Sequence, residues 1–239
     1  MFTGTEYTSL KNVTTCIFAT LLIVPAFGVE PKKKPEVLVR IDEANLAFRE
    51  IMAAPDRGIP RDLLERAVCV GIIPGMKRAG FVFGGQYGKG ILTCRTAKGW
   101  SGPSTIRMEG GSVGLQIGAG ETDIVMVVMN RRGAEKLMSS EFTLGGEWAA
   151  MAGPVGRASE AKTDAFMRAQ ILSYSRSRGL FGGIALNGTT LRSDDKDNEA
   201  LYGRKVEHKA ILMGGVRPPS SSRNLLATIN YYSRTARKK

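Results

Sequence analysis

In residues 173–183, S-Y-S-R-S-R-G-L-F-G-G, two arginines at alternate positions run directly into an apolar tip between glycines. In an extended chain Tyr174, Arg176 and Arg178 share one face, while Ser173, Ser175 and Ser177 share the other. Gly179 permits a turn, and Leu180 and Phe181 follow it. Two readings stand side by side. Leu180 and Phe181 can be the core residues of an ordinary hairpin. Alternatively the stretch is a binding edge, whose guanidinium forks hold phosphate headgroups while the apolar tip dips into lipid. An apolar run resumes at Ile184 and ends at Asn187-Gly188, a short hairpin signal.

Other residue sets that could do chemistry fail on spacing. The cluster G-G-Q-Y-G-K-G at 84–90 mimics a phosphate loop. However, Gly90 stands where Ser or Thr would hold magnesium, Phe83 replaces the leading glycine, and a strand follows instead of a helix. Asp194, Asp195, Asp197, Asn198 and Glu199 resemble a calcium loop, but Ala200 occupies the tight-turn glycine position, so a solvated turn capping a short helix is expected. His208 is the one histidine and has no nucleophile setting around it. With two scattered cysteines beyond residue 28 it forms no zinc spacing. Glu109 and Glu121 could pair, since paired acids need no fixed spacing, yet nothing else supports them. No catalytic residue, metal or cofactor is expected. Cys69 and Cys94 lie in segments that read as neighbouring strands; a disulfide or two small buried thiols both fit.

The elements that must position these residues change in texture along the chain. Residues 1–28 read as a signal peptide, with Lys11 before an apolar run at 17–24 and small residues at Ala26 and Gly28. Cys16 precedes that run, unlike a lipoprotein cysteine. The exported chain would lie in the periplasm or outside the cell, where cysteines oxidise. Residues 29–35 form a basic linker containing Lys32, Lys33 and Lys34. Val37, Ile41, Ala44, Phe48 and Ile51 then recur at helical spacing, so a helix spans 35–54 and stops before Pro55. A second helix spans 60–67. A strand at 68–73 closes at Pro74-Gly75, and further strands follow at 81–87, 91–95, 104–108, 112–117 and 123–129. Asn130 caps a helix at 131–138, and strands return at 142–144 and 147–152. The fold class is α+β: a strongly bent antiparallel β-sheet or partial β-barrel with a few flanking helices. Beyond a linker at 218–222, Leu225, Leu226, Ile229 and Tyr232 share a helical face among basic residues; this tail, 217–239, packs on the sheet or lies on an anionic surface.

The balance of 34 Lys plus Arg against 22 Asp plus Glu, +12 overall, favours anionic partners. Aromatic residues are 7% and no RNA-binding or zinc motif appears, so nucleic acid is not the expected partner.

Residues 173–188 closely resemble the signature of the SYLF domain family of lipid-binding modules. Ile59-Pro60 and the segments 80–90, 99–103, 110–123, 153–157 and 198–203 resemble the family pattern in the same order, so the resemblance covers about residues 36–205 and assigns 36–216 to a SYLF-like domain. It implies a protein of the secreted bacterial type, peripheral to a membrane, that binds anionic phospholipids with phosphoinositide-like headgroups. The residues expected to do so are Arg176, Arg178, Leu180 and Phe181, with Lys32, Lys33 and Lys34. An envelope protein that binds an acidic polymer or a protein partner is the alternative. Oligomeric state is not legible.

Overall fold

The computed structural model describes residues 34–55, 58–80, 83–113, 118–145, 150–155, 169–177, 180–184 and 186–234. These belong to one unit, Lys34–Lys239. The expected signal peptide and Lys32, Lys33 and Arg178 lie outside the described residues, as does the side chain of Phe181.

Among the described residues ten strands form a strongly curled, open mixed sheet. They are β1 (Cys69–Gly80), β2 (Phe83–Thr96), β3 (Gly99–Trp100), β4 (Ser104–Val113), β5 (Gly118–Val128), β6 (Glu141–Thr143), β7 (Ala150–Ala152), β8 (Ile171–Ser177), β9 (Leu180–Gly183) and β10 (Thr189–Ser193). The order across the sheet is β6-β10-β4-β2-β1-β5-β8-β7, with β3 on β2 and β9 on β8. All pairs are antiparallel except β7 with β8, which runs parallel. The helices are α1 (Glu36–Ala53), α2 (Arg61–Arg66), α3 (Arg131–Leu137), α4 (Asp195–Tyr202), α5 (His208–Leu212) and α6 (Arg223–Tyr232), the last preceded by a 3-10 turn at Ser220–Ser222.

Alternation of side chains gives the sheet two buried faces. On one, Val70, Ile72, Ile91, Val125, Val127, Leu172 and Tyr174 meet the apolar stripe of α1 (Val37, Ile41, Ala44, Phe48, Ile51) together with Leu225 and Ile229 of α6. On the other, Ile73, Met76, Leu92, Met108, Ile124, Met126 and Ile171 pack with Leu137, Leu144 and Leu212. α1 is therefore docked on the sheet, and α6 packs chiefly on α1 and on β3. The tail is anchored further by a T-shaped contact of Tyr232 with Phe48, 6.0 Å between centroids, and by Trp100 Nε1 donating to Ser233 Oγ at 3.0 Å.

Several strand boundaries differ from the sequence reading. Pro74-Gly75 does not end β1. It makes a bulge: Gly75 has φ +55°, the pairing shifts between Ile73 and Met76, and Asp123 Oδ1 accepts the freed Gly75 N–H at 2.8 Å. Opposite that bulge β2 runs unbroken through Gly88 and Gly90. A Cβ on Gly90 would stand 2.2 Å from the Ile72 carbonyl oxygen, so these glycines allow close approach of β1 rather than turns. Asn187-Gly188 is likewise a crossover and not a hairpin, since β9 pairs with β8 whereas β10 pairs with β4 and β6.

Candidate functional site

The stretch 173–183 forms the β8–β9 edge hairpin. Arg176 pairs across to Phe181, and Ser177 to Leu180. Leu180 is 71% exposed, and Met151 on the adjoining β7 is also exposed. Arg176, in contrast, is committed to internal carboxylates. Its Nε and Nη2 donate to Asp123 Oδ2 at 2.9 and 2.5 Å, and Nη1 pairs with Glu50 Oε2 at 2.5 Å. Arg176 thus ties β8 to β5 and α1 and is not a free headgroup ligand. Asp123 is the direct cross-strand partner of Arg176, a juxtaposition 53 residues apart in sequence. A groove of about 440 Å³ beside Arg176 gathers Glu43, Glu121 and Asp123 against Lys77 and Arg176; its charge balance does not favour anions. Lys34 lies just before α1, is exposed and pairs with Asp42.

The acidic turn at 194–199 is not solvated as expected. Asp194 caps α4, accepting from Asp197 N at 3.4 Å. Its carboxylate lies 2.8 Å from Lys89 Nζ, while Asp197 takes Lys89 at 3.0 Å and Arg40 at 2.5 Å. Burial pushes the Asp197 carboxyl up, but hydrogen bonds from Lys89 and Arg40 outweigh it and hold the pKa below its usual value. Burial also pulls Lys89 down, and its bonds to Asp194 and Asp197 more than reverse this. The cluster fastens α1 and α4 to β2.

His208 is buried. Its Nε2 donates to the Leu137 carbonyl at 2.8 Å, which leaves Nδ1 to accept from Ser104 Oγ at 2.7 Å. A hydroxyl donating to an imidazole is nucleophile geometry, but Ser104 is wholly buried under α4 and α5 and no substrate reaches it. Burial pushes the His208 pKa down, outweighing the Leu137 hydrogen bond and the pull of Asp195. Among the described residues no group of three or more His, Cys, Asp and Glu could hold a metal ion. Cys69 and Cys94 are directly opposed on β1 and β2 and form a disulfide.

Sequence reading passed over Arg78. It alternates with exposed Lys77, so one of the two adjacent bases had to face inward. Arg78 is half-buried, and its Nε has no hydrogen-bond partner.

A curled sheet braced by α1 and α6 is the framework on which these residues sit. The chain belongs to the SYLF family: the family model Ysc84, described as "Las17-binding protein actin regulator", matches residues 109–232. It is 37% identical over 195 residues to LAS seventeen-binding protein 3 of Saccharomyces cerevisiae, covering 80% of this chain and 41% of that protein. It is 35% identical over 203 residues to Protein YSC84 of the same yeast, covering 82% and 42%. It is 32% identical over 190 residues to SH3 domain-containing YSC84-like protein 1 of Rattus norvegicus, covering 78% and 56%. The chain thus spans about half the length, or less, of these relatives. The first of these is named as a binding protein, and the family description names an actin regulator.

Proposed function

We propose that this chain is a peripheral lipid-binding module that holds anionic phospholipid headgroups with basic residues and seats an apolar tip in the membrane. The exposure of Leu180 on an edge hairpin, immediately after the basic run ending in Arg178, carries the reading. A leucine left 71% exposed forfeits most of its burial free energy unless another surface covers it. The excess of cations makes an anionic surface the favoured cover. Because α1 and α6 are docked, the module binds as a folded body rather than by releasing a helix. Export, with residues 1–28 removed as a signal peptide, is part of the same proposal; sequencing the N-terminus of protein recovered from the periplasm or medium tests it.

Flotation with phosphatidylcholine vesicles containing phosphatidylserine tests the lipid reading. Leu180→Ser should weaken binding about tenfold at every salt concentration, because apolar burial is lost. Arg178→Gln should weaken it about fivefold at low salt and less at high salt. Parent protein that stays unbound to anionic vesicles overturns the proposal.

A further inference from the structure

The face of the sheet that carries Met76 and Met108 changes character beyond them. Arg78 of β1 lies directly between Gln86 of β2 and Gly120 of β5. Gln86 is turned the other way: its Nε2 donates to Thr189 Oγ1 at 2.7 Å, across Gly110, where a Cβ would stand 3.0 Å from that nitrogen. On the other side, among the described residues, no heavy atom lies within 4 Å of where a Cβ on Gly120 would stand. Arg78 is therefore bordered by a committed amide on one flank and by open space on the other. Burial pushes its guanidinium pKa down, and no neighbouring carboxylate counters it. The basic residues nearby have partners: exposed Lys77 faces Glu121, and half-buried Arg176 holds Glu50 and Asp123.

We propose that Arg78, in the open space over Gly120, is an anion-binding site that takes a phosphate group. A half-buried guanidinium whose buried Nε has no hydrogen-bond partner among the described residues is a partly desolvated cation, and a phosphate at its terminal nitrogens supplies the counter-charge and hydrogen-bond acceptors. Glycine at 120 leaves room for a tetrahedral oxyanion that a side chain would fill. On the same face, two residues further from the strand tips, Thr122 pairs with Met76, and Leu180 is the next exposed apolar group beyond it. The site rests on the lipid-binding reading only for the source of its phosphate, which is a lipid headgroup or a free anion.

Two variants and two probes test this with the full chain. Arg78→Gln removes the cation; Gly120→Glu places a carboxylate opposite Arg78, at a backbone conformation that side chains adopt, and fills the site from within. Inorganic phosphate, followed by chemical-shift perturbation, should move the backbone amide signals of β1 and β5 around positions 78 and 120 in the parent, and both variants should lose that response. Vesicles containing phosphatidylserine should bind each variant about fivefold more weakly than the parent. Phosphate binding by the parent without vesicle binding keeps the site, assigns it to a soluble anion and overturns the lipid reading. Vesicle binding that both folded variants retain in full, with no phosphate response in the parent, overturns the site and leaves the lipid reading in place. A Gly120→Glu protein that melts no lower than the parent shows that lost binding is not lost folding.

Discussion

Arg176 shows how one side chain can look like a ligand and serve as a joint. Its three contacts with Glu50 and Asp123 are charge-assisted, and such bonds contribute about 1.5–3 kcal/mol each when made to charged groups. Arg176→Gln should therefore lower stability by on the order of 2 kcal/mol, after allowance for partial exposure, while the folded fraction still binds vesicles like the parent. Denaturant unfolding and flotation read the two effects separately; unchanged stability with lost binding would restore Arg176 to the binding edge. His208 makes a second prediction. Its folded pKa lies below its unfolded value, so as pH falls below about 6.5 the unfolded chain takes up the proton first and stability declines. Asp197 also titrates in a way that favours the fold, but its window lies below the ordinary carboxyl range. Melting temperature should drop between about pH 7 and about pH 5, and His208→Gln should flatten that slope. Equal slopes in parent and variant would contradict it.

At the scale of elements, packing decides what pattern leaves open. The apolar stripe of α1 and the helix at 223–232 could both be read from spacing, as could the cap at Asn130, whose Oδ1 accepts from Gly133 N at 2.9 Å. Which surface those stripes would meet could not, because an amphipathic helix carries the same pattern on a core as on a membrane. Ile229 is fully buried against the sheet, so Ile229→Ala should cost about 3 kcal/mol by equilibrium unfolding. A cost near zero would mean that α6 leaves the sheet in solution. Gly153 shows the same limit: it reads as a bend, but its reason is the ring of Tyr174, 2.2 Å from where a Cβ would stand. The bulge at Gly75 and the close glycines of β2 are equally pairwise facts, invisible until β1 and β2 are aligned. The β8–β9 hairpin was legible from Arg-Gly-Leu; the neutralisation of Arg176 and the isolation of Arg78 were not, since both depend on which residue lies across the strand.

For the whole molecule, the curled sheet is the framework that α1 and α6 brace, and the Cys69–Cys94 bridge fixes two of its central strands, β1 and β2. Protein lacking residues 1–28 and recovered from an oxidising compartment should show no free thiol when unfolded without reductant. Reduction should lower stability by about 3 kcal/mol, the loop-closure contribution for a bridge of this span. Two thiols in that titration would instead mean a pair of buried cysteines. The excess of cations over the same framework leads to the central claim, that the folded unit binds an anionic lipid surface. The most direct measurement is flotation of the purified protein with neutral and with phosphatidylserine-containing vesicles across a range of salt. The account predicts binding to anionic vesicles that weakens as salt screens the surface but keeps a residual apolar component, with little binding to neutral ones. Equal binding to both, or to neither, at low salt would contradict it.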